Sequence, residues 1–193
     1  MLQRGCVITV ANLLNLKSLL LIMSNEALRI LMDVVRTMRT EIDMTVSVKV
    51  RGYTGQGAGS KWIQKWTRSD VSHVSLIVQL GENIQEVEAI QWRGVIAHKP
   101  HSADDKTFVE YRVPLSYEQA LEVRELALSY VGARYDWQGV WGFARHRKKH
   151  SLNKWFCSEL VAFCLLKAGF PVSRREPFLE SPASVCESLR LLS

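Results

Sequence analysis

Residues 72–92 read SHVSLIVQLGENIQEVEAIQW, and the fold turns on them. Val74, Leu76, Val78 and Leu80 alternate with His73, Ser75, Ile77 and Gln79. A period of two over eight residues is the pattern of a β-strand with two distinct faces. A second strand-like run, IQEVEAIQW, follows the short link GEN, so the pair predicts a hairpin. If Ser75 stands opposite Glu88, then His73 stands opposite Ile90 and Glu88 becomes its diagonal neighbour. Such neighbours are about 7–8 Å apart at the backbone, within reach of long side chains. Glu86 is then one pair further away. A slip of one residue would turn the glutamates to the face opposite His73, so the pairing depends on the turn.

Outward from this hairpin the same reading continues. MTVSVKVRGY alternates through Val46, Val48 and Val50 and predicts a strand, as do GVIAHK and TFVEYRVP. TGQGAGS lacks the Lys-Ser/Thr ending of a phosphate-binding loop and is expected to be a flexible turn. SKWIQKWTR predicts a short helix capped by Ser60. SYEQALEVRELALSYVG predicts the clearest helix, with Ser116 and Gln119 as a capping box and Gly132 at its stop. NKWFCSELVAFCLLKAGF predicts another, with Leu160, Val161, Cys164, Leu165 and Ala168 on one face and Gly169 and Pro171 ending it. SPASVCESLRLL predicts a last helix, with Ser181 as cap and Pro182 in its first turn. Strands and helices are segregated along the chain. The expected class is therefore α+β, a mainly antiparallel sheet packed against helices.

The chain has 193 residues, 47% of them hydrophobic and 23% charged, and a formal net charge of +6. This is an ordinary globular composition. The mild basic excess suits an anionic partner such as a cell-wall polymer, a lipid headgroup or nucleic acid. Cys6, Cys157, Cys164 and Cys186 form no CxxC pair, which argues against a zinc ribbon or a thioredoxin motif. A reducing compartment is the simpler setting, so a cytoplasmic or virion-associated location is expected over a secreted one. The N-terminal apolar run is interrupted by Asn12, Asn15 and Lys17 and is followed by no small-x-small cleavage site. It fits neither a signal peptide nor a membrane span. SNEALRILMDVVRTMRTE has amphipathic spacing through Leu28, Leu31, Val34, Val35 and Met38. The text changes character at Met44, giving an expected N-terminal extension over 1–43, helical or the product of a misassigned start, and a compact domain over 44–193.

The chemistry centres on Cys157. A thiol at a helix N-terminus is activated by the dipole and free amides, and a neighbouring imidazole activates it further. Taken alone, Cys157 is as well read as a buried filler, because free cysteines are commonly buried. Cys164, two turns on, reads as a small core hydrophobe. Among the five histidines, His73 is held by a strand, which gives a general base the rigidity it needs. Glu86 and Glu88 are the candidates to orient it, with Glu88 favoured by the register above.

With these residues in view, SHVSLIV, VEAIQWRGV, GARYDWQGVWGF, WFCSELVAFCLLKAGFP and the final SP resemble the circularly permuted NlpC/P60 papain-like family, the YiiX/YebB-like permuted amidases. The resemblance runs from about Met44 to the C-terminus. It implies a papain-like fold of permuted topology, in which the His strand precedes the Cys helix. It implies Cys157 as nucleophile, His73 as base, Glu88 as orienting acid and Tyr135 as the active-site tyrosine. Ser158 and Glu159 belong to the motif, and Glu159 reads as structural support for the helix start. No cofactor and no metal are implied. The expected activity is a cysteine hydrolase of an amide bond, in a peptidoglycan-type peptide or a related amide, through an acyl-enzyme. Acyl transfer, lipase or thioesterase chemistry on a lipid-like acyl group is the alternative, and a non-enzymatic phage or envelope module is the third. Fold membership does not choose among them.

The remaining motifs carry less. The run RHRKKH, with Arg145, Arg147, Lys148 and Lys149, reads as a solvated loop bordering the substrate entrance, since nucleic-acid binding needs a broader basic surface. His146 and His150 have helical metal-ligand spacing but no partner cysteine or acid nearby. Trp92, Trp137, Trp141 and Trp155 are candidates for a pocket wall, although core packing is the common fate of tryptophan.

Overall fold

The computed structural model describes residues 46–102, 107–137 and 153–192, together with Glu26, Arg29, Ile30, Met32 and Asp33. The chain divides into two compact units, Met1–Glu41 and Ile42–Ser193. In the first, those five residues are helical and exposed. The apolar positions that predict the amphipathic helix, Leu28 among them, lie outside the described residues.

In the second unit, β1 (Val46–Tyr53), β2 (His73–Leu80), β3 (Asn83–Ile90), β4 (Gly94–His98) and β5 (Phe108–Arg112) form one sheet in the order β4-β3-β2-β1-β5. Every neighbouring pair in it is antiparallel. The β2–β3 hairpin closes through a two-residue turn, with Leu80 opposite Asn83 and Gly81 at φ 58°. A glycine at the first turn position permits this backbone without a Cβ penalty. Leu76 faces Val87 and Ile77 faces Glu86. Continuing that register sets Ser75 opposite Glu88, the pairing that the sequence favours.

Among the described residues, four α-helices accompany the sheet: α1 (Ala58–Thr67), α2 (Tyr117–Ser129), α3 (Cys157–Lys167) and α4 (Pro182–Leu192). Helix α1 begins two residues before the expected Ser60 cap. Gly57 is its N-cap, with no side-chain hydrogen bond, and Ser60 lies within the first turn. For α2 the capping box is as expected, with Ser116 Oγ accepting from Gln119 N and Gln119 Oε1 accepting from Ser116 N. In α4, Ser181 Oγ accepts from Ser184 N at 3.1 Å.

The core joins Val48, Val50, Val74, Leu76, Val78, Val87 and Ala89 of the sheet to Val123, Leu160, Val161, Cys164, Leu165, Val185 and Leu189 of the helices. Alternation sends the other set of side chains from β1, β2 and β3 to the opposite side: Arg51, Tyr53, His73, Ser75, Glu86 and Glu88. The expected one-faced pattern for α3 is too narrow. Cys157 to Ala162 are buried without a break, followed by Cys164 and Leu165, so the helix is enclosed around most of its first two turns.

The segment between α2 and α3 contains a short parallel ladder, β6 (Arg134–Tyr135) with β7 (Lys154–Trp155). It is tied to β4 by Val95 N donating to Ala133 O and Gly132 N donating to Val95 O, both 2.9 Å. Gly94 makes this approach possible. Its φ is 76°, and a Cβ there would lie 2.2 Å from Ala133 O. These contacts deliver Tyr135 to the edge of the sheet and set Cys157 just after β7. Arg145, His146, Arg147, Lys148, Lys149 and His150, with Trp141, lie outside the described residues.

Candidate active site

Cys157 is the first residue of α3, and no side chain caps that helix, whose N-cap is Phe156. Phe156 N donates instead to Glu159 Oε2 at 3.3 Å, so Glu159 supports the helix start, as its structural reading predicts. Ser158 is buried and its hydroxyl donates to Glu180 O. Both motif neighbours are therefore engaged within the fold, and the thiol stands among the first amides of the helix, the positive end of its dipole.

His73 opens β2, and its imidazole lines the same cleft as Cys157 and is influenced by its charge. His73 Nε2 donates to Glu88 Oε2 at 2.5 Å, which leaves Nδ1 as the nitrogen for the thiol. Burial disfavours the charged imidazole, but the Cys157 and Glu88 charges and hydrogen bonds outweigh it and raise its pKa to about 10. Burial pushes the Glu88 carboxyl up, while His73 and His98 pull it down further, to about 2. Glu88 is thus a carboxylate held against an imidazole that favours its protonated form.

The four residues expected at the site meet around one cleft. It has a volume of ≈ 790 Å³, and Cys157, His73, Glu88 and Tyr135 all line it. Tyr135 is buried and lines the cleft beside Gln91. Burial and the Cys157 charge raise its pKa above the ordinary tyrosine value, although Gln91 acts in the opposite direction. It remains a neutral O–H donor at neutral pH.

Sequence reasoning missed part of this cleft. Gly55, Gln56, Gly57 and Gly59, expected to be a bare flexible turn, form a wall of it, and Gln91 and Tyr53 complete the lining. Only the absence of a phosphate-loop signature was legible there. Of the tryptophans, Trp155 is fully buried against Tyr130 and Phe163, whereas Trp92 is 86% exposed and packs on Trp137. None of the described tryptophans lines the cleft.

Also missed was a polar cluster beside His73 and Glu88. His98 Nε2 lies 2.7 Å from Glu88 Oε1, and His101 Nε2 lies 3.9 Å from the same oxygen. Glu86, one pair along, accepts from the Tyr53 hydroxyl, from Ser75 Oγ at 2.7 Å and from His101 N at 3.1 Å, with Arg51 Nη1 3.6 Å away. The two glutamates are thereby separated in role: Glu88 holds His73, and Glu86 is bound into the sheet. Ligand atoms of Glu86, His98 and His101 all lie within 4.8 Å of one another and are able to hold a metal ion. No cofactor was expected from the sequence, and no such cluster was assigned to these histidines.

No family model matches the chain, and no curated protein does so either. Among solved structures it is similar to the metalloprotein YiiX of Escherichia coli O157:H7, described as DUF1105. The TM-score is 0.53 at 25% identity, over 74% of this chain and 81% of that one. The α+β architecture, with its five-stranded antiparallel sheet packed on helices, together with this neighbour fits a papain-like fold. Among the described residues, no helix is long and apolar enough to cross a membrane.

Proposed function

We propose that this protein is a papain-like cysteine hydrolase of amide bonds, of the circularly permuted NlpC/P60 kind. The observation that carries the reading is that Cys157 and His73 line one open cleft, with the His73 imidazole held by Glu88 at 2.5 Å. The Cys157 sulfur attacks the carbonyl carbon of the substrate, and the carbonyl electrons move to oxygen. Backbone amides at the start of α3, that of Cys157 first, face the resulting oxyanion. Collapse of this intermediate breaks the C–N bond, and the leaving nitrogen takes its proton from the His73 imidazolium. Water then attacks the thioester while His73 accepts its proton. The acid departs and Cys157 is regenerated. Glu88 fixes the imidazole orientation and stabilises its charged form throughout. Tyr135 places a neutral hydroxyl beside the reacting carbonyl. A peptidoglycan-type peptide is the substrate class that suits both the open cleft and the basic chain.

The test is the pH dependence of Cys157 alkylation by iodoacetamide, read by peptide mass spectrometry beside His73→Ala. The expected result is reaction of Cys157 well below pH ~8.5, the ordinary thiol range, ahead of Cys164 and Cys186, with that lead lost in His73→Ala. Ordinary or absent reactivity of Cys157 in both proteins would sink the mechanism. Mass analysis of products from peptide and ester substrates then separates hydrolysis from acyl transfer. A product carrying the acyl group on an amine or alcohol acceptor assigns the second.

A further inference from the structure

The cluster beside the triad has the makings of a second site. We propose that Glu86, His98 and His101 bind a divalent transition-metal ion of the Zn²⁺ class. Two imidazoles and a carboxylate are a donor set that suits such an ion. The ligand atoms already lie within 4.8 Å of one another. Zinc–nitrogen bonds of about 2.0–2.1 Å place tetrahedral neighbours roughly 3.3 Å apart, so small side-chain rotations close the site.

The surroundings prepare each ligand. His98 Nδ1 donates to Lys99 O at 2.6 Å and Nε2 lies 2.7 Å from Glu88 Oε1, so the ring is held through its second nitrogen while Nε2 faces the cluster, where the ion would replace its proton. Metal-binding histidines characteristically donate their second N–H in this way. His101 is held at both ends of its backbone, by His101 N donating to Glu86 Oε2 at 3.1 Å and by Arg51 Nη1 donating to His101 O at 2.9 Å. Its ring lies 4.8 Å from that of His98. Glu86 is fully buried and oriented by Tyr53 and Ser75, the outer support expected of a ligating carboxylate.

Charge decides whether a cation is welcome. The Arg51 guanidinium, 3.6 Å from Glu86 Oε2, opposes one, but its Nε is engaged by Glu110 Oε2 at 2.8 Å. Glu88 Oε1, 2.7 Å from His98 Nε2, brings a second carboxylate to the same spot. The His98 and His101 side chains are 25% and 30% exposed, so an ion has a path in from solvent. Glu88 offers Oε2 to His73 and Oε1 to this cluster, so the ion would sit directly behind the acid of the triad. The proposal does not require Cys157 to be a nucleophile.

The experiment uses the full chain, stripped by a chelator and dialysed. It is titrated with ZnCl₂ against a chromophoric competitor, and with CoCl₂ by visible absorption. One tight equivalent is expected, weakened by more than the roughly 10–100-fold that loss of an outer hydrogen-bond partner costs in His98→Gln and in His101→Gln and retained in Cys157→Ser. The cobalt spectrum should show a nitrogen–oxygen site without a thiolate charge-transfer band. Circular dichroism of the stripped variants confirms folding, and if one histidine variant is unfolded the other carries the comparison. Absence of a tight equivalent overturns the proposal. So does an equivalent that survives both histidine variants and vanishes in Cys157→Ser, which would place the metal on the thiol–imidazole pair.

Discussion

Cys157 and Cys164 stand two turns apart on the same helix, and each is at most 1% exposed. Burial alone therefore does not distinguish them. What differs is the company each keeps. Cys157 lies at the open N-terminus of α3 against His73 and the cleft, whereas burial pushes the Cys164 thiol up to about 12. A thiol becomes chemical through a partner for its thiolate, and on the proposed function one helix holds both cases within two turns.

The largest effect that would break this contrast is on turnover. Cys157→Ala should lower kcat by on the order of 10⁴-fold or more, and Cys164→Ala should leave kcat within about twofold while lowering stability by roughly 1–3 kcal/mol through the cavity it opens. Steady-state rates and thermal melts on both variants measure this, and similar losses of rate from the two would erase the distinction. Next is Glu88→Gln, which keeps the shape of the acid but not its charge. A fall in kcat of about 10²–10⁴-fold with KM little changed is expected. An unchanged rate would move the orienting role elsewhere.

Gly94→Ala sharpens the positional half of the comparison. The added Cβ would meet Ala133 O in a left-handed backbone, at a cost of about 1–3 kcal/mol, and would disturb the tie that delivers Tyr135. Melting temperature and Cys157 alkylation rate should both fall, with Cys164 unaffected.

The smallest effect is in pH-dependent stability. Glu88 is depressed from 4.5 to about 2, so its contribution is present above pH 4.5 and lost as pH falls toward 2. His73 is raised from 6.5 to about 10, so its contribution is present below pH 6.5 and lost as pH rises toward 10. The difference in melting temperature between the parent protein and Glu88→Gln should be greatest between pH 4.5 and 6.5 and shrink on both sides. A flat difference would remove the ion pair from the account.

The amino-acid sequence by itself determined the strands, through period-two alternation, and the ends of α2, α3 and α4, through Ser116, Gly169 and Ser181. It also narrowed the His73 partner to Glu88, because a tight glycine turn fixes register and register fixes which side chains are diagonal neighbours. These are local properties, set within a few residues. The tertiary structure alone decided that the helix carrying Cys157 packs with its first turn beside the start of β2, 84 positions earlier in the chain by their numbers, and that the glycine-rich turn walls the cleft. It also decided that His98 and His101 gather on Glu86 and Glu88. No periodicity reports such meetings, since they depend on how sheet and helices bury their apolar faces together, and that packing is a property of the whole core.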